Sequence, residues 1–167
     1  MASGIEYLRR DSDHCIAVWK NVLVWFSVGE VGGVEADKAL QYFDMMAKRH
    51  PEGFCFALYA KDTCKLPNAA ARHASKSVFE AQRGRMTAMA ALFEGHGFFM
   101  SSCRAILSTM LAVARQPFES RVSGDVDEIS AWVCTMLPGL RDLPDAAAEL
   151  AEVYREVAAE QASIAAA

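Results

Sequence analysis

The sequence predicts an α/β fold: a mixed β-sheet of about five strands that opens with a β-hairpin, continues in β-α repeats with helices packed on it, and is followed by a C-terminal amphipathic helix. Three observations predict it. Hydrophobic spacing switches repeatedly between strand-like and helix-like along the chain. Residues 54–60 (FCFALYA) and 89–93 (MAALF) are short and apolar throughout, as strands are when helices cover both faces. Helical periodicity follows each of them, which implies parallel crossovers.

Taken in order, residues 14–19 and 22–28 are β-branched and aromatic runs separated by Lys20-Asn21, and they read as a hairpin. A glycine-rich break occupies 29–33. Ala36, Ala39, Leu40, Phe43, Met46 and Ala47 then share one helix face, and the helix stops near His50-Pro51 because proline disfavours a helical residue before it. After the strand at 54–60 and a polar connection at 61–71, a second helix is expected at 72–86, with Ser75, Val78, Phe79, Gln82 and Met86 along one side. The strand at 89–93 ends in Glu94-Gly95-His96-Gly97. A third helix at 102–115 aligns Cys103, Ile106, Leu107, Met110, Leu111 and Ala114, with Ser101 or Ser102 as its cap. Residues 118–123 alternate like a strand, and Gly124-Asp125 begins a fourth helix with Val126, Ile129, Trp132, Val133 and Met136 inward.

A length of 167 residues fits one domain, with 1–13 as an N-terminal polar segment, 14–141 as the sheet-and-helix body and 142–167 as an acidic, Ala-rich helix. At 53% hydrophobic and 23% charged, the chain can bury a core without a metal or disulfide staple. The net charge of −4 does not point to nucleic acid, and no apolar run reaches a bilayer-spanning length. Residues 1–13 lack a secretory signal, and five scattered cysteines suit reduced, buried thiols, so a soluble cytoplasmic protein is expected.

Charge is unevenly spread. Residues 142–167 carry six acids and one base. Their spaced positions Leu143, Ala147, Leu150, Tyr154, Val157, Gln161 and Ile164 fit a helix that either packs back on its own domain or, through Leu150, Tyr154 and Val157, forms a dimer contact. Residues 61–85 carry the bases Lys61, Lys65, Arg72, Lys76, Arg83 and Arg85 against two acids, a candidate basic surface for an acidic partner, an anionic ligand or the acidic tail itself.

The element order and several local marks resemble the STAS-like group of bacterial proteins (anti-sigma-factor-antagonist, SpoIIAA-like), in an uncharacterised proteobacterial branch. The marks are Val22-Leu23-Val24-Trp25-Phe26, Arg49-His50-Pro51-Glu52-Gly53, Ala90-Ala91-Leu92-Phe93-Glu94-Gly95-His96-Gly97-Phe98 and Ala114-Arg115-Gln116-Pro117-Phe118. The resemblance implies a small sheet with helices on one side, acting by protein–protein contact or small-ligand sensing. It also implies a phosphorylated serine after the third strand. The Asp-Ser-Ser-Gly-like turn that would carry it is absent here, and Thr63, Ser75 and Ser77 are the replacements in that region.

Reactive chemistry is weakly marked. His14, His50, His73 and His96 have no metal-ligand spacing, so no metal or cofactor is expected. His96 sits on a turn at a strand end, where open α/β sheets bind ligands. Cys103 lies in a first helical turn that would favour a thiolate, but its stripe points inward, where burial raises the thiol pKa. Catalysis would need two of His96, Cys103 and Glu94 in contact. The expectation is therefore a non-catalytic regulatory or protein-interaction domain that self-associates. The alternative is a carrier or sensor whose apolar or anionic ligand meets Phe98, Phe99, Met100, Met110 and Trp132.

Overall fold

The computed structural model describes residues 4–28, 36–61, 77–82, 84–95, 98–113 and 118–165. Six strands form one mixed sheet: β1 (Ile5–Arg10), β2 (His14–Trp19), β3 (Val22–Ser27), β4 (Phe54–Ala60), β5 (Met86–Phe93) and β6 (Glu119–Ser123). They lie side by side in chain order. The first three pair antiparallel, and β3 to β6 pair parallel. Five helices complete the described chain: α1 (Ala36–Arg49), α2 (Phe98–Val113), α3 (Val126–Met136), α4 (Pro138–Arg141) and α5 (Ala146–Ala165).

Every residue of β3 is buried, as are all but one of β4 and of β5. Such strands need apolar cover on both faces. One cover follows from handedness. Parallel crossovers are right-handed as a rule, and these strands step in a single direction, so their connecting helices must fall on one face. Accordingly, Ala39, Phe43 and Met46 of α1, Val78 of the helical segment at 77–81, and Leu111 of α2 share a core with Ile16, Trp25 and Phe56. The opposite face is covered by the chain after β6. Ile129 and Val133 of α3, Leu140 of α4, and Leu150, Val153, Tyr154 and Val157 of α5 pack on Trp19, Val24, Cys55, Ala57 and Leu92. Helices therefore flank both faces, in agreement with the apolar runs and not with the one-sided layer that the resemblance implies.

Of its two expected roles, α5 takes the first in this structure: Leu150, Tyr154 and Val157 are 0%, 1% and 0% exposed and pack against the chain's own sheet. Burying this stripe on the waiting sheet face removes it from water without a second copy. Polar bonds fix its ends: Lys20 Nζ meets Glu149 at 2.9 Å, Arg10 meets Glu160 at 2.9 Å, and Gln161 Nε2 donates to the carbonyls of Asp11 and Ser12 at 2.9 Å each. Glu149 and Glu160 thus meet bases of β1 and of the β2–β3 turn rather than the 61–85 region.

Other boundaries shift for identifiable reasons. Residues 5–10 are not a polar segment outside the sheet but its sixth strand. Ile5 and Tyr7 face one core and Leu8 the other, and a bulge between Tyr7 and Arg9 then sets Arg9 opposite Ile16 and Arg10 opposite Cys15, so no single apolar face shows in the sequence. The second helix does not reach Met86. The described segment ends at 81, Gly84 turns the chain with φ +77°, and Met86 already begins β5. The third helix begins at Phe98, ahead of the expected serine caps, and Ile106 of its predicted inward stripe is 44% exposed. The fourth helix begins as expected, with the Asp125 side chain accepting from the amides of Asp127 and Glu128.

Glycine is required at one junction. Gly53 has φ +112°, and a Cβ there would lie 2.0 Å from Thr87 Oγ1. Its carbonyl accepts from the buried Asn21 amide at 3.3 Å, and the Asn21 carbonyl accepts from Cys55 N at 3.0 Å. The hairpin turn and the entry to β4 are thereby locked together.

The Tyr154 hydroxyl is buried and has no hydrogen-bond partner among the described residues. Tyr154→Phe is expected to leave stability unchanged or raise it by about 1 kcal/mol, because an unmet polar group is removed. Val157→Asp is expected to yield an unfolded or aggregated chain rather than a folded monomer. Urea denaturation followed by circular dichroism checks both.

Candidate functional site

The sheet edge at which the parallel strands end is the natural place to look, since open α/β sheets bind ligands outside the carboxyl ends of their strands. Strand order does not reverse here, so no crevice opens between diverging crossover helices. Instead the edge carries two polar groupings, one on each face.

The first grouping joins β4 to β5. The Tyr59 hydroxyl donates to Glu94 Oε2, and Lys61 Nζ lies 3.7 Å from the same oxygen. Glu94 N continues the ladder to the Ala60 carbonyl at 3.1 Å. Burial pushes the Tyr59 hydroxyl well above its ordinary pKa, and its bond to Glu94 pushes the same way, so the phenol stays protonated. The Tyr59 ring lies edge-on to both Phe26 and Tyr154. Nearby, Arg104 donates to the carbonyls of Phe93 at 2.9 Å and Gly95 at 3.4 Å and to Ser101 Oγ at 3.2 Å. Gly124 leaves room for it, because a Cβ there would approach Arg104 Nη1 to 2.8 Å. At the end of β6, Ser123 Oγ donates to Glu128 at 2.6 Å, and Arg121 reaches the same carboxylate at 3.6 Å. Each of these groups is engaged by its neighbours.

The second grouping lies on the opposite face, where β2 begins and β3 ends. His14 stands directly across from Ser27. The amide of Val28 bonds the Asp13 carbonyl at 3.1 Å, so the next pair inward is of the non-hydrogen-bonded kind whose side chains stand closest. The His14 ring meets Trp25 edge-on, 5.8 Å between centroids. His14 Nδ1, Trp25 Nε1 and Ser27 Oγ are all buried and have no hydrogen-bond partner among the described residues. Asp11 Oδ1 is 3.6 Å from His14 Nδ1, too far for a hydrogen bond. That carboxylate is held instead by Arg9 and by the amides of Asp13 and His14 at 3.0 and 2.9 Å. Burial raises the Asp11 pKa, but these three donors outweigh it and hold the carboxyl below its ordinary value. Burial lowers the His14 pKa, Arg9 lowers it further, and Asp11 and Asp13 oppose them without prevailing.

The described thiols are packed rather than activated. Burial pushes Cys55 up to about 12 and Cys15 to about 11, and raises Cys103 and Cys134 as well. Cys103 is buried beside Ala91 and Phe93, whereas Glu94 is bonded to Tyr59 over the other face, so these two of the three groups that catalysis would need in contact are held apart. His96, the third, lies outside the described residues.

Of the basic surface, Lys61 faces Glu94, and Arg85 donates to Asp44 at 2.6 Å. Lys65, Arg72, Lys76 and Arg83 lie outside the described residues, as do Thr63 and Ser75. Ser77 is exposed at the start of the segment at 77–81. Met100 is buried with Cys103, while Trp132 packs at the other face beneath Arg121, 5.7 Å from its guanidinium. They line no common pocket, and the side chains of Phe98, Phe99 and Met110 are outside those described. Among the described residues, no group of three or more His, Cys, Asp or Glu side chains is placed to hold a metal, and no helix is long and apolar enough to cross a membrane.

Compared with family models, with curated proteins and with solved structures, the chain has no match. Sequence reasoning missed the His14, Trp25 and Ser27 grouping. The signal was present in the hairpin register: a two-residue turn at Lys20-Asn21 places position 14 opposite position 27.

Because burial holds the folded-state pKa of His14 below the ordinary 6.5, the unfolded chain binds the additional proton on acidification. This contribution to stability is fully present above about pH 6.5 and is lost progressively as pH falls toward the lowered folded value. His14→Gln is expected to flatten the fall in Tm between about pH 7 and 5, measured by thermal denaturation across that window.

Proposed function

We propose that this chain is a non-catalytic, STAS-like regulatory domain of the cytoplasm that acts by contact with a protein partner. The observation that carries this reading is the mutual engagement of the ionisable groups at the strand edge. Tyr59 and Lys61 occupy Glu94, Arg104 is tied to main-chain carbonyls, Glu128 is shared by Ser123 and Arg121, and the described thiols are held protonated by burial. Acid–base or nucleophilic catalysis asks for a group that is perturbed and also free to meet a substrate. The STAS-like resemblance supports the same reading: the stretch 22–26 forms most of β3, residues 49–53 end α1 and enter β4, and residues 90–94 close β5.

The experiment is crosslinking of the tagged full chain in its host lysate, followed by reconstitution of each recovered candidate from purified components. A defined complex between two purified proteins is the expected result. A chain that remains monomeric at every concentration tested and forms no complex with any purified candidate overturns the reading.

A second reading, a small-ligand sensor, is favoured by one specific observation. Among the described residues, three neighbouring buried polar atoms, His14 Nδ1, Trp25 Nε1 and Ser27 Oγ, lack hydrogen-bond partners at the strand edge.

A further inference from the structure

Buried polar groups in folded proteins nearly always find a partner, so each exception asks for a cause. Seven side-chain atoms are exceptions among the described residues, and four of them are on Trp19, Gln82, Tyr154 and Gln161. The other three are neighbours. Trp25 is 1% and Ser27 3% exposed, they alternate on one face of β3, and His14 is the cross-strand partner of Ser27. They do not bond one another.

We infer, on the basis of the small-ligand reading, that this seam between β2 and β3 binds a neutral, largely apolar small molecule through a single carbonyl oxygen. The indole N–H can only donate, so the complementary atom must be an acceptor. A carbonyl oxygen has two lone pairs and accepts from the Trp25 N–H and the Ser27 hydroxyl together. Apolar walls surround these groups. Ile16 and Trp25 share one core there, Tyr42 of α1 meets Trp25 edge-on at 5.9 Å, and Phe56 does so at 6.4 Å. Charge selects against an ion, because Arg9 and Asp11 are paired with each other, His14 is held neutral by burial, and an unpaired charge in such a place is costly.

The location has a topological reason. At this end the chain of β2 arrives from the 11–13 turn, which Gln161 holds from the α5 face, whereas β3 is followed in sequence by α1, which packs on the opposite face. The bond from Val28 N to the Asp13 carbonyl, 3.1 Å, lies one pair beyond His14 and Ser27 at this end of the seam.

The probes are acetophenone, which carries the carbonyl, and ethylbenzene, which has a similar shape without it. Each is titrated into the isotope-labelled full chain while the Trp25 indole N–H resonance is followed, assigned through Trp25→Phe. Acetophenone is expected to shift that resonance saturably, ethylbenzene to bind about 10-fold more weakly or not at all, and Ser27→Ala to weaken acetophenone about 2- to 10-fold. Equal affinity for the two probes, or an indole resonance that neither moves, overturns the assignment. Native mass spectrometry of the freshly purified chain separates this failure from that of the sensor reading. A retained mass that acetophenone does not displace leaves a sensor with its site elsewhere, whereas no retained mass and no shift reject both.

Discussion

The whole structure depends on a sheet that is apolar on both faces. Once β3, β4 and β5 carry almost unbroken hydrophobic side chains, neither face can be left to water, and the chain must supply two separate covers. Right-handed crossovers in one direction deliver the first, with α1 and α2 on a single side. They cannot deliver the second. The segment after β6 therefore turns back across the sheet, with α3 over β5 and β6 and α5 over β1, β2 and β3. The tail is acidic and rich in alanine, but its inward stripe of Leu150, Val153, Tyr154 and Val157 belongs to the main core.

Much of this fold is legible in the sequence because single-element signals are strong. FCFALYA is a doubly buried strand, the spacing of Ala39, Phe43 and Met46 is a helix face, and Asp125 is a cap. What escapes are features fixed by register and by distant partners. In IEYLRR the three apolar residues divide between two cores and the bulge after Tyr7 shifts the arginines, so β1 reads as polar. Met86 continues the spacing of Val78 and Gln82, so the end of a turn and the start of a strand read as one helix. The stripe of α5 would look the same whether it met its own sheet or a second copy, and only the uncovered face decides between them. Gln161, a weak residue for a helix seam, is well chosen for gripping the 11–13 turn.

The strand edge shows a similar division. Glu94 and Cys103 were each visible as reactive residue types, yet the sheet lies between their environments and leaves them without a common substrate space. Conversely, His14, Trp25 and Ser27 carry no motif. They come together only through antiparallel pairing, which sets a buried indole, a buried hydroxyl and a half-buried imidazole side by side. Paired charges along the edge stabilise the ends of β4, β5 and β6, while this uncharged corner is left with hydrogen-bonding capacity to offer.

Chain order gives the second cover a temporal consequence. The ribosome makes all six strands before α5, so a nascent sheet has one face sheltered by α1 and α2 while Trp19, Val24, Cys55 and Ala57 still await theirs. Exposed hydrophobic surface of that kind is what chaperones recognise and what drives aggregation during synthesis. The last helix thus acts as a latch on biogenesis, and premature termination upstream of it would leave a sheet sticky on one side.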